Sequence, residues 1–169
     1  SVLDQVVKAY DIRGTVPDQL NADVAHALGV GFAIHIRQAS TAEQVVIARD
    51  MRPSGPQFVE AFSRGLLDQG LDVVDIGLGS TDMMYYASGI LDAPGAMFTA
   101  SHNPAGYNGV KLCMAGARPV GVDTGLLDVK RVAAEVLDGT TPRPAARAGT
   151  RVERNVLDDF AEHVLTFVD

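Results

Sequence analysis

Ser101 and His102 follow an apolar run, Gly95 to Ala100, and the chain then passes Asn103-Pro104 and Asn108-Gly109 to reach Lys111. A serine hydroxyl beside an imidazole, with an amine just downstream, is a set that could carry an acyl or a phosphoryl group. The acyl reading is poor, because sequence neighbours usually point apart and no Gly-x-Ser-x-Gly elbow frames Ser101. The phosphoryl reading gains from cations elsewhere. Lys8, Tyr10 and Arg13 lie together in "KAYDIRG", and Arg49 and Arg52 in "ARDMRPSG". Taken singly, each basic residue reads as a solvated surface charge and Ser101 as a turn residue. Jointly, cations gathered at strand ends beside a serine point to a site built for phosphate.

That site must be local. The net charge of −7 opposes broad binding to a nucleic-acid backbone, so no nucleic-acid partner is expected. No apolar run is long enough for a membrane span, and the start "SVLDQVVKAYDIRG" lacks the features of a signal peptide, so a cytoplasmic chain is expected. The single cysteine, Cys113, lies in an apolar run and reads as a buried structural thiol. Two glycine patterns, "GVGFAI" from Gly29 and "GLGSTD" from Gly77, lack the third glycine of a dinucleotide fingerprint.

The elements that would position these residues alternate. Asn21 caps a predicted helix from Ala22 to about Gln38, with Val24, Leu28, Phe32 and Ile36 on one face. Val45 to Asp50 reads as a buried strand, and Ser54 as the cap of a helix that Gly70 stops. Leu71 to Gly77 is a second strand, Thr81 to Leu91 a helix, and Gly95 to Ala100 a third strand ending at Ser101. The loop that follows is too short for a crossover helix, so Val110 to Ala115 is predicted to pair antiparallel. Asp123 to Leu137 forms a further helix. The expected fold is therefore α/β, three layers with a mixed, mostly parallel sheet and ligands beyond the carboxyl ends of the strands. Residues 1–138 form the domain, 139–150 read as a Pro- and Gly-containing linker, and 151–169 as a helix. Its stripe of Leu157, Phe160, Ala161, Val164, Leu165 and Val168 leads the reading toward a further domain beyond.

"TASHNPAGYNGVK" resembles the phosphoserine loop of the α-D-phosphohexomutase superfamily, and "KAYDIRG" and "RDMRPSG" resemble its other first-domain signatures, in the same order. The tyrosine in Tyr-Asp-Ile-Arg-Gly and the ending Tyr-Asn-Gly-Val-Lys are closer to the phosphomannomutase/phosphoglucomutase branch than to phosphoglucosamine mutases. The resemblance implies that Ser101 is phosphorylated and exchanges its phosphoryl group with a hexose phosphate, mannose or glucose leading, through a hexose 1,6-bisphosphate. It implies that Arg13 contacts the phosphoryl group, that Tyr10 and Lys8 shape the pocket, and that Lys111 and His102 move protons. Asn103 is expected to brace the loop, Arg49 to fix the neighbouring loop or bind substrate, and Asn108-Gly109 to form a turn with positive φ.

The implied cofactor is Mg2+, held in the family by one phosphoserine oxygen and three aspartates. Here only the Ser101 phosphate would contribute, because the Asp-Gly-Asp-Gly-Asp-Arg metal loop does not occur. Neither does the Gly-Glu-x-Ser-Gly-His sugar loop. The remaining domains of a longer polypeptide are thus the expected partners, and the chain by itself is expected to be inactive. A noncatalytic phosphate- or protein-binding module on the same scaffold stays open as the rival reading.

Overall fold

Val45, Val46, Ile47 and Ala48 are all wholly buried, which requires cover on both faces of the strand that carries them. The computed structural model describes residues 1–168 and supplies that cover. β2 (Gln44–Arg49) pairs in parallel with β3 (Asp72–Leu78) on one side and β4 (Gly95–Phe98) on the other. Helix α3 (Gly55–Asp68) joins β2 to β3, and α4 (Thr81–Leu91) joins β3 to β4. β5 (Tyr107–Met114) returns antiparallel to β4, as its short connection demands, and pairs on its other side with β1 (Ile12–Thr15). The described sheet runs β1-β5-β4-β2-β3-β7, with the two-residue β6 (Arg118–Pro119) on β5 and β7 (Arg151–Glu153) at the far edge.

Two apolar clusters make the layers. On one face α1 (Val2–Val6), α2 (Ala22–Ala39), α3 and α5 (Leu126–Leu137) enclose Leu28, Phe32, Phe62, Ile47, Phe98 and Val110. On the other, α4 packs Met84 and Ala87 on Val46, Met97 and Cys113, and Val156 before α6 (Leu157–Leu165) joins them. This is the three-layer arrangement with a mixed sheet that the alternation of elements predicts. Burial pushes the Cys113 thiol pKa up, in keeping with a structural role. The "GVGFAI" pattern also finds its cause here. A Cβ on Gly29 would stand 2.2 Å from the Phe62 carbonyl oxygen, and one on Gly31 2.5 Å from that of Val129, so both glycines let neighbouring helices close on α2.

Several elements differ from expectation. The start, for which the sequence predicts no regular element, is partly helical, because Ser1 caps α1 and Lys130 of α5 meets Asp4 at 2.6 Å, holding that carboxyl down to about 2. The linker is docked against the domain. The Ala145 and Gly149 amides donate to the Asp68 and Leu67 carbonyls, and Thr150 bonds Asp72. Residues Arg151–Glu153 then form a strand where a helix was expected, since the open edge of β3 offers unpaired main-chain groups. The helix starts only at Leu157, and Asp169 lies outside the described residues. Within the terminal stripe, Phe160 reaches Tyr86 of α4 at a ring separation of 5.7 Å, while Leu157, Val164, Leu165 and Val168 are exposed. Among the described residues no helix is long and apolar enough to cross a membrane.

Candidate functional site

The serine loop leaves the carboxyl end of β4. Its first residue is still stitched to the sheet, the Thr99 amide donating to the Gly109 carbonyl of β5 at 3.0 Å. The Thr99 hydroxyl then accepts from the Ser101 amide at 3.0 Å. Ser101 takes φ +52, one of three non-glycine residues recorded with positive φ, and its side chain is exposed. A non-glycine residue held there costs about 1–2 kcal/mol, so its surroundings must impose the conformation. Arg52, in the loop after β2, reaches across to it. Its guanidinium donates to the carbonyls of Ser101 (3.1 Å), Asn103, Pro104 and Tyr107 (2.8 Å each).

Arg13 stands on β1 opposite Gly109, next to the point where Thr99 meets β5. Asp11 grips it by Nε, at 3.1 Å to Oδ1 and 3.0 Å to Oδ2. Among the described residues nothing occupies its two terminal nitrogens, which leaves a planar fork suited to a phosphoryl group. Lys8, Tyr10, Asp11, Arg13 and Lys111 line one pocket of about 320 Å3. A tight turn makes this possible: the Lys8 amide donates to the Asp11 carbonyl, and Val7 bridges Ile12. Lys111, on β5 opposite Met97, is thereby brought from a hundred residues away to the tyrosine and arginine of the first segment.

Other candidates fall differently. His102 is exposed in the serine loop and, among the described residues, makes no side-chain hydrogen bond. Asn103 contributes its main chain, amide to the Ala100 carbonyl and carbonyl to Arg52, so Arg52 does the bracing expected of the asparagine amide. Arg49 lies apart. It lines a separate pocket of about 450 Å3 with Asp75, Gly77, Met83, Arg154 and Leu157, because β2 and β3 end there beside the α4 start.

Asn108-Gly109 is no turn: both residues belong to β5, and neither has positive φ. The glycine is needed for close approach, since a Cβ would lie 2.1 Å from the Ile12 carbonyl oxygen. Ser54 stands at the head of α3 without capping it, because its hydroxyl accepts from the buried Asn108 amide at 2.8 Å. Arg52 was the residue missed as a site member; its place among the cations of "ARDMRPSG" was the available signal.

Residues 4–132 match the family model described as phosphoglucomutase/phosphomannomutase, alpha/beta/alpha domain I. The chain belongs to this family. A phosphomannomutase of Escherichia coli is 39% identical over 163 residues, covering 96% of this chain and 34% of that protein. Phosphohexose mutases of Xanthomonas campestris pv. campestris are 42% identical over 164 residues, 96% of this chain and 35% of theirs. A crystal structure of a phosphoglucomutase/phosphomannomutase family protein from Burkholderia thailandensis superposes with a TM-score of 0.83 at 32% identity, over 100% of this chain and 36% of that one. The chain thus spans about a third of the length of these two relatives, whereas a phosphomannomutase of Klebsiella pneumoniae, 38% identical over 156 residues, is matched over 96% of its length. For a divalent cation, the fit is partial. Among the described residues no three acidic, histidine or cysteine side chains converge.

Proposed function

We propose that this chain is the serine-bearing part of a phosphomannomutase/phosphoglucomutase that interconverts hexose 6-phosphate and hexose 1-phosphate, with mannose or glucose as the sugar. The observation that carries the reading is Ser101: an exposed hydroxyl fixed in a left-handed conformation at a strand end, on a loop stitched to the strand that also carries Lys111 and pairs with Arg13.

In the first half-reaction the bond between phosphorus and Ser101 Oγ breaks while phosphorus bonds a free hexose hydroxyl oxygen. The hydroxyl proton passes to a base and Oγ takes up a proton, leaving serine and a hexose 1,6-bisphosphate. The second half runs in reverse with the other phosphate after the sugar has turned over. Arg13, with its open fork, steadies the moving phosphoryl group. Lys111 and His102 are the proton carriers, and Tyr10 and Lys8 form the pocket wall. Bound Mg2+ would offset negative charge on the phosphoryl group, with the phosphate on Ser101 as this chain's contribution. The pocket is open to water, so the chain alone turns over little or nothing, and further domains of a longer polypeptide complete the site.

The test is intact mass of the full-length protein. One added phosphate that disappears in Ser101→Ala, with loss of mutase activity in a coupled assay primed by glucose 1,6-bisphosphate, supports the reading. An unphosphorylated Ser101, or activity unaffected by its replacement, sinks it in favour of a noncatalytic module. The same assay run with mannose, glucose and glucosamine phosphates ranks the sugars.

A further inference from the structure

We infer that the segment from Asp50 to Ser54 is a brace for the serine loop, with Arg52 as a positioning residue that holds Ser101 in its left-handed conformation. Its side chain is only 9% exposed, and four of its N–H groups are spent on four carbonyls of one loop. The fifth, on Nε, is buried without a hydrogen-bond partner and faces Asp50 Oδ2 at 3.5 Å. No solvent-facing donor remains for a phosphate. Arg52 therefore differs in kind from Arg13, whose terminal nitrogens are open.

The brace is anchored at its base. The Asp50 amide donates to the Phe98 carbonyl at the end of β4, and Asp50 Oδ1 accepts from the Arg52 amide at 3.1 Å. A second prong, Ser54, accepts from the Asn108 side-chain amide, whose oxygen, Oδ1, accepts from the Gly109 main-chain amide at 2.8 Å. Carbonyls turned toward a common point repel one another unless a cation lies among them. With the guanidinium there, four main-chain dipoles are directed inward and the Ser101 side chain is left outside. Lysine cannot replace it, because an ammonium has three donors and no plane. The inference draws its catalytic consequence from the function proposed above, but the brace itself is a property of the fold.

The experiment is hydrogen exchange on Arg52→Ala and Arg52→Lys in this chain, read segment by segment. Exchange across residues 101–107 should rise by at least about tenfold in both, with α2 and β2 amides unchanged. An unchanged loop, or an equal rise everywhere, overturns the brace. Should neither variant fold, the unaltered chain decides by NMR at low temperature: four resolved Nη–H signals from Arg52 support it, and one averaged signal refutes it. In the full-length protein, kcat should fall at least about tenfold in Arg52→Lys while KM for the hexose monophosphate holds, since Arg52 touches loop and not sugar. A change in KM alone would reassign Arg52 to substrate binding. If the unaltered protein takes no phosphate from glucose 1,6-bisphosphate, the proposed function fails while the exchange result still judges the brace.

Discussion

The serine loop and the β7 edge of the sheet hold exposed chain in different ways. Between β4 and β5 the serine loop carries little apolar surface, yet main-chain and side-chain hydrogen bonds define it residue by residue. At the β7 side an apolar helix follows a strand whose three residues are all exposed, and most of its stripe faces outward. Hydrophobic surface alone gives a segment no particular place; it needs a complementary face. Directional bonds from a buried cation, by contrast, specify geometry even where the loop stays wet.

The comparison can be broken at four points. Gly109→Ala should act most strongly, because its Cβ would meet the Ile12 carbonyl and force β1 from β5; a loss of about 3 kcal/mol in chemical denaturation is expected. An unchanged midpoint would mean the serine side is more plastic than its bonding implies. Arg151→Ala comes next. Arg151 bridges Glu60 and Asp75 at 2.6 Å each, with a side chain 29% exposed, so its removal should cost about 1 kcal/mol. Limited proteolysis should then cut within residues 139–156 first, leaving the serine loop protected.

Acid should loosen the body of the domain rather than either of these regions. Burial lowers the His35 pKa, against a smaller opposing pull from Asp128. The unfolded chain therefore binds the proton more readily, and stability present above about pH 6.5 should decline as pH falls below it. His35→Gln should flatten that part of the profile in denaturation measured from pH 8 to 5. Smallest of all, Leu165→Ala should shift stability by less than about 0.5 kcal/mol, because the side chain is 65% exposed. A larger loss would show that the α6 stripe is packed in solution.

Wherever a local signal sufficed, the sequence was readable. Asn21 caps α2 as predicted, α4 spans Thr81–Leu91, and Ser101 stands just past the end of a strand. Ser54 and Asn108-Gly109 misled because their residue types suit a cap and a turn, whereas both serve contacts with segments far away in the sequence. Asn103 looked like the brace for the same reason, and Arg52 looked like one surface cation among several. Arg49 and Arg13 likewise read alike in one dimension but line different pockets.

Hydrophobic periodicity, helix capping and the three signature segments, all properties of neighbouring residues, already determined the order of the central elements from α2 to α5, the layer architecture and the family. Tertiary structure alone decided which cation lies beneath the serine loop, which one stays open beside it, and that a docked linker adds a strand at the far edge. Those outcomes depend on pairings across 49 positions or more, where directional hydrogen bonds and close backbone approach leave no periodic trace along the chain.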